Sequence, residues 1–256
     1  MKKIKVSDWL SLCLAGVFDF LIEIRDPFGL LSSYYQRTYG YVPIRFQRVN
    51  NFHTLWRAIK SKRLIKKKER NKIYFYPSSL EKKRLKQKFP LLMTKSEPWD
   101  GFFRVVVYDI EEQRKRIRDY LRENLRKFGF GMFQKSVWIS PHNFLGEIKK
   151  IIERLGLEEK VIYFETKNFY IKDIKELAKK LWPIEKLNQE YKDLYDNLLS
   201  YSSLTKPRDR VKILKKFQEK IINLYFQDPF LPKEFLPIDW KREEVTFLMK
   251  KLKIFS

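Results

Sequence analysis

The sequence predicts a three-domain chain of the α+β class, and three observations support this prediction. With 256 residues, the chain is long enough for one large domain or for two to three small ones. Hydrophobic residues make up 44% of it and aromatic residues 16%, which is enough to build cores and excludes a disordered basic protein. Strand-like runs occur in the first two thirds, whereas the last third shows helical spacing alone. We therefore place three domains at residues 1–90, 97–182 and 183–256.

The net charge is +24, because 55 Lys and Arg oppose 31 Asp and Glu, and it is concentrated near the N-terminus. Residues 1–90 hold 21 of the basic residues and 6 of the acidic ones, a net of +15. Such a surplus indicates contact with nucleic acid or with an anionic membrane face, or serves solubility alone. One cysteine excludes an intrachain disulfide, and two histidines disfavour a metal cluster, so we expect no cofactor.

An apolar stretch from Trp9 to Ile24 follows the basic N-terminus in the manner of a signal peptide. Asp19 and Glu23 interrupt it, and no small-residue cleavage site follows. The uninterrupted apolar part is too short to span a bilayer. We interpret it as a buried amphipathic helix of a cytoplasmic protein and expect no membrane partner, with a membrane anchor as the alternative.

A helix and a basic hairpin are predicted within residues 50–77. Asn50 or Asn51 can cap a helix that ends near Ser61, and two strands follow at 64–68 and 72–77. One helix face carries side chains that suit base edges and phosphates in a major groove. These are Asn51, His53, Thr54, Arg57 and Lys60.

Nine of the sixteen residues from Arg57 to Lys72 are basic, and Glu69 is the one acid among them. The predicted phosphate contacts beyond the helix are Lys62, Arg63, Lys66, Lys67, Lys68, Arg70 and Lys72. Phosphate binding requires such clustering, because each neutralised phosphate releases counterions. A helix followed by a basic hairpin indicates a winged helix that binds double-stranded DNA. A solvated charged face is the alternative.

The middle third predicts a compact unit of alternating strands and helices. Strands are expected at 102–110 and 160–166, and 132–140 forms one strand or a tight pair. Helices are expected from the Asp109–Glu112 segment to about Phe128, from Asn143 to Leu155 and at 173–181. This order fits a split βαβ, ferredoxin-like domain.

Asp109 is the one candidate catalytic residue, because an aspartate after a first strand can hold a divalent cation, especially across a dimer axis. However, Asp109 and Glu112 have the spacing of a capping box, and we favour that structural role. The chain contains no P-loop, GxGxxG, GxSxG or HExxH motif.

The last third predicts three helices, near 184–199, 211–226 and 241–252, with a proline-rich elbow at 228–237. Its aromatic residues favour core or dimer contacts, and an effector pocket between helices is the alternative.

Three runs resemble the PaaX family, the repressors of phenylacetate-degradation operons. They are Trp99–Ile110, continued through Gly129–Gly131 and Gln134–Pro141, then Glu176–Ile184, and finally Asp228–Pro232 with Leu236–Trp240. The resemblance covers about residues 97–240. It implies an N-terminal winged helix, a central ferredoxin-like domain and a C-terminal helical domain. It also implies a homodimer that represses transcription and responds to an acyl-CoA-type effector.

The central domain also resembles the small ferredoxin-like nuclease of CRISPR adaptation. In that family a first-strand aspartate, matched here by Asp109, is the proposed metal ligand. This resemblance implies a Mg²⁺-dependent endonuclease, or an adaptor that holds DNA, as the rival to a non-enzymatic DNA-binding regulator. A scaffold for a larger nucleoprotein complex is a third alternative.

Overall fold

The computed structural model describes Asp8, Ser11 and Leu12 and then residues 56–69, 72–94, 98–167, 173–201 and 207–251. The chain divides into two compact units. One contains residues 1–88, 193–223 and 241–256, and the other contains residues 89–192 and 224–240. The helices of the last third thus contribute to both units. No helix of the described residues is long and apolar enough to cross a membrane.

The first unit contains the predicted hairpin. Strand β1 (Leu64–Glu69) pairs antiparallel with strand β2 (Lys72–Pro77), in a register that runs from Leu64 opposite Pro77 to Glu69 opposite Lys72. A helical segment at 56–60 precedes the hairpin, and helix α1 (Ser79–Lys88) follows it. The hairpin is confirmed, whereas most of the predicted N-terminal helix, with the first half of the helix at 51–61, lies outside the described residues.

The second unit is built on a four-stranded antiparallel sheet. Its elements, in chain order, are α2 (Pro90–Met93), β3 (Phe103–Tyr108), α3 (Lys115–Lys127), β4 (Gly131–Gln134), β5 (Val137–Ser140), α4 (Leu145–Leu155), β6 (Val161–Thr166) and α5 (Ile174–Leu181). The strand order is β4-β5-β3-β6. This β-α-β-β-α-β connectivity is that of a ferredoxin-like domain, as predicted, and residues 132–140 lie in a strand pair.

The core of the second unit lies between the sheet and helices α3 and α4. Val106 and Trp138 are opposite each other on β3 and β5, and both are fully buried. Leu121 and Leu125 of α3 and Ile148 of α4 are likewise buried, in the same hydrophobic cluster. Their spacing of three to four residues places each set on one helix face, so the predicted apolar faces are those that pack on the sheet.

The opposite face of the sheet is covered at one end only. There the rings of Trp99 and Phe235 stack edge-to-face with Phe103 of β3. At the other end, Ile162 and Phe164 of the edge strand β6 remain 69% and 45% exposed. The sheet therefore presents an apolar, uncovered region along β6.

Two predicted helix starts are wrong. Helix α3 begins at Lys115, after a 3₁₀ turn at Glu112–Arg114, and no side chain caps either element. The backbone N–H of Asp109 instead donates to the carbonyl of Lys160 (2.9 Å), which keeps residue 109 in an extended segment after β3. Asn143 does not cap α4, because the N-cap position is Phe144.

Three further helices complete the described chain. They are α6 (Ile184–Tyr201), α7 (Pro207–Gln227) and α8 (Arg242–Lys251), with a 3₁₀ turn at Lys233–Phe235 in the proline-rich elbow. All three predicted helices are therefore present, each within a few residues of its expected bounds.

Candidate nucleic-acid interface

The helical segment at 56–60 ends in a backbone geometry that positions its basic side chains. Lys62 adopts a left-handed conformation with φ of 55°. The N–H of Lys62 donates to the carbonyl of Ile59, and the N–H of Arg63 donates to that of Ala58, both at 2.9 Å. This pair of bonds is a Schellman motif, in which the left-handed position usually holds glycine. A lysine there indicates that the charge is kept at a conformational cost of about 1 kcal/mol.

The helical segment presents cations to solvent. Arg57, Lys60 and Lys62 are exposed, and among the described residues none of them forms an ion pair. The Lys60 ammonium lies 5.2 Å from the centre of the exposed Trp56 ring, a cation–π contact that leaves it accessible. Three unpaired cations within six residues create a positive potential that attracts anions.

Arg63 has a different environment from the other predicted phosphate contacts. Its Nε and Nη2 atoms donate to the two carboxylate oxygens of Glu81, at 2.8 and 2.6 Å. Arg84 binds the same carboxylate with its Nε and Nη2 atoms, and its Nη2 also reaches Asp8 at 2.6 Å. Lys88 completes this ion cluster through Asp8. Arg63 is therefore already engaged by two carboxylates within the protein.

The two acids of the ion cluster, Asp8 and Glu81, are each 1% exposed. Burial on its own would raise the pKa of Glu81, but hydrogen bonds from Arg84 and Arg63 hold it well below its ordinary value. For Asp8, burial likewise acts against hydrogen bonds from Lys88 and Arg84, which lower its pKa overall. Both carboxylates thus stay ionised and stabilise their cations, and neither neutralises the exposed cations at 57–62.

The ion cluster also fixes the base of the hairpin. Ser78 donates its backbone N–H to the carbonyl of Arg63 at 2.8 Å, just before β1 and after β2. Its hydroxyl accepts from the N–H of Glu81 at 3.2 Å, as an N-terminal cap of α1. The sequence analysis missed this arrangement, although the Ser78-x-x-Glu81 spacing is a capping-box signal.

The remaining predicted contacts lie further along the hairpin or outside the described residues. Lys66, Lys67 and Lys68 are in β1, and Lys72 begins β2. Only two residues connect the strands, and one of them, Arg70, lies outside the described residues together with Asn51, His53 and Thr54. The backbone thus brings the basic strands of the hairpin next to the exposed cations of the helical segment.

Asp109, the candidate metal ligand, is exposed at the end of β3. Within the described ranges, no three His, Cys, Asp or Glu side chains are close enough to hold a metal ion together. The preceding Tyr108 has a structural role, since its hydroxyl donates to the carbonyl of Lys135 (2.8 Å) and accepts from Arg122 Nε (2.7 Å). With the capping role excluded, the carboxylate of Asp109 has no hydrogen-bond partner among the described residues.

Comparisons with known proteins agree with the fold described above. Residues 96–178 match the family model described as the PaaX protein central Cas2-like domain. The whole chain resembles the solved structure of the uncharacterized protein Rv0674 from Mycobacterium tuberculosis, with a TM-score of 0.56 and 15% sequence identity. That likeness covers 96% of this chain and 93% of the other, and at this identity it indicates a shared fold. No curated protein matches the sequence significantly. The chain is therefore PaaX-like, with its central Cas2-like domain at residues 96–178.

Proposed function

We propose that this protein is a dimeric DNA-binding transcriptional regulator of the repressor type, with a winged helix in residues 1–90. The observation that carries the proposal is the set of cations at 57–62 beside the basic hairpin. The nearby carboxylates of Asp8 and Glu81 are taken up by Arg63, Arg84 and Lys88, so the exposed cations are available for phosphates. The PaaX-like central domain is consistent with a regulator.

The roles of the basic residues follow from their positions. Arg57 and Lys60, with Asn51, His53 and Thr54, would face the major groove, whereas the cations of the hairpin would hold the flanking phosphates. Arg63 would orient the hairpin through Glu81, because its guanidinium is committed to that carboxylate. The expected ligand is double-stranded DNA.

The test is the salt dependence of binding to a labelled duplex, measured by fluorescence anisotropy. Replacing Lys66, Lys67 and Lys68 together by Ala should weaken binding to every duplex and lower the slope of log K against log salt by about 2.7. The matched control is K149A/K150A/R154A, which removes three charges from exposed positions on α4. Equal slopes for the hairpin variant and the wild type would reject DNA binding by the hairpin.

We also propose that two copies associate through the uncovered apolar region along β6. Ile162 and Phe164 lie on a strand at the edge of the sheet, where exposed apolar residues and unpaired backbone groups favour association with another chain. I162E/F164E should shift the protein from dimer to monomer in size-exclusion chromatography with light scattering. Leu80→Glu, at an equally exposed position on α1, should leave the mass unchanged. A monomeric wild-type protein contradicts the proposal.

The PaaX-like resemblance further leads us to propose an acyl-CoA-type effector that releases the DNA. Its test is the anisotropy assay with an acyl-CoA added, in which the apparent affinity for the target duplex should fall. Free coenzyme A is the control for the acyl group. Unchanged affinity across a panel of acyl chains argues against this effector class.

A Mg²⁺-dependent nuclease is the second candidate function, and the exposed carboxylate of Asp109 is the observation that favours it. A metal ion there would need further ligands, which a second copy could supply across a dimer axis. Cleavage of DNA that requires Mg²⁺ and is lost in Asp109→Asn would establish the nuclease. Intact DNA after incubation with Mg²⁺ would leave the regulator.

A further inference from the structure

A row of four arginines runs along helix α3 of the central domain. Arg114, Arg118, Arg122 and Arg126 recur at every fourth residue, so they lie along one side of the helix with a rise of about 6 Å between neighbours. From Arg114 to Lys127 the chain has seven basic residues and two acidic ones. The arginine row therefore extends over about 18 Å of strongly positive surface.

The C-terminal half of the arginine row is anchored to the sheet. Arg122 donates from Nε to the Tyr108 hydroxyl at 2.7 Å and from Nη2 to the carbonyl of Lys135 at 3.1 Å. The Arg126 guanidinium lies 5.3 Å from the centre of the Trp138 ring. These partners are a hydroxyl, a carbonyl and an aromatic face, which orient the guanidinium groups and do not neutralise their charge.

The N-terminal half of the arginine row lacks acceptors. The Nε atom of Arg118 is buried and has no hydrogen-bond partner in the structure. Among the described residues, neither Arg114 nor Arg118 forms an ion pair, and the nearest acid of the row, Asp119, lies 3.9 Å from Arg122. A buried N–H donor without an acceptor is unfavourable, so this part of the surface is suited to an incoming oxyanion.

We propose that the arginine row of α3, with Lys135 beside it, is a nucleic-acid-binding surface of the central domain that holds successive phosphates of one strand. The row extends further than a single small anion, and its spacing is regular. Arginine forks bind phosphate oxygens in a bidentate manner, whereas sequence reading would require side chains that reach base edges. The surface binds the backbone without regard to sequence. It is a contact additional to the hairpin and does not depend on it.

The test compares two full-length variants that lose the same charge. In R114Q/R118Q, two guanidinium groups without protein partners are removed, so the fold should be unaffected. In K150Q/R154Q, two exposed charges are removed from α4 of the same domain. We expect R114Q/R118Q to bind a random-sequence duplex about tenfold more weakly at 0.1 M salt, with a log–log salt slope lower by about 1.8. The control should match the wild type.

The same measurements in the K66A/K67A/K68A background separate this surface from the hairpin. If both surfaces bind DNA, the residual affinity of the hairpin variant should fall again when R114Q/R118Q is added. If only the hairpin proposal fails, K66A/K67A/K68A has no effect and R114Q/R118Q still does. If R114Q/R118Q behaves as K150Q/R154Q does, or if it reduces binding to phosphatidylserine vesicles and leaves DNA binding unchanged, the inference is overturned.

Discussion

At the scale of the single residue, Lys62 shows a conflict between conformation and charge. Its left-handed backbone favours glycine, but a glycine there would remove a cation from the proposed DNA surface. Lys62→Gly should therefore raise the free energy of unfolding by about 0.5–1 kcal/mol and weaken binding to duplex DNA. Urea denaturation and fluorescence anisotropy measure the two effects.

The matched change for Lys62 is Lys60→Gly, two residues earlier and within the helical segment. It removes one positive charge too, so DNA binding should weaken to a similar degree. Glycine inside a helix is unfavourable, so stability should fall by about 1 kcal/mol. If both variants move stability in the same direction, the left-handed position of Lys62 is not the cause.

Glu81 is the residue whose ionisation should matter most for stability. Its carboxylate is buried between Arg63 and Arg84, and breaking such a pair leaves buried charge without compensation. We expect Glu81→Gln to lower the free energy of unfolding by about 3 kcal/mol at pH 7, near the low end for buried pairs because both arginines keep some access to solvent.

The pH dependence of the Glu81 effect has a definite sign. The pKa of Glu81 is lowered in the folded protein, so its stabilisation is complete above the pKa of about 4.3 that it has when unfolded. That stabilisation is lost as the pH falls towards the lower, folded value. The difference between wild type and Glu81→Gln should therefore shrink below pH 4. Glu112→Gln, at an exposed glutamate, is the control and should show no such trend.

At the scale of the element, strand β4 depends on a glycine for its contact with helix α5. A Cβ atom at Gly131 would lie 2.7 Å from the Cβ of Leu181 and 2.9 Å from Cε2 of Trp182. Gly131→Ala should therefore separate strand and helix and cost about 1–3 kcal/mol of stability. A melting temperature equal to that of the wild type would show that β4 can shift without cost.

Gly146 gives the opposite expectation on a neighbouring element. It lies in helix α4, and a Cβ atom there would meet nothing within 4 Å. Gly146→Ala should stabilise the protein by about 0.5 kcal/mol, because alanine restricts the unfolded chain and favours the helix. Urea denaturation of both glycine variants distinguishes close packing from helix propensity.

Elements with apolar periodicity could be predicted from the sequence, but the points where they begin could not. The Asp109 and Glu112 spacing imitates a capping box, yet the N–H of Asp109 is bonded to Lys160, 51 positions along the chain, so the helix starts later. Arg63 presents the same difficulty. It is one of nine basic residues in its segment, and only the tertiary contacts with Glu81 and Asp8 distinguish it from the others.

At the scale of the whole molecule, the net charge of +24 is the property that the fold has to tolerate. Self-repulsion at this charge opposes the compact state, and salt screens it, since the Debye length falls from about 10 Å at 0.1 M to about 3 Å at 1 M. Exposed ion pairs such as Lys179 with Glu176 contribute little, so their screening should not outweigh the gain. The melting temperature at pH 7 should therefore rise with sodium chloride from 0.05 to 0.5 M, and the rise should vanish near the pI of about 9.9. A melting temperature that falls with salt at pH 7 would mean that ion pairs, such as those of Glu81, dominate over the repulsion.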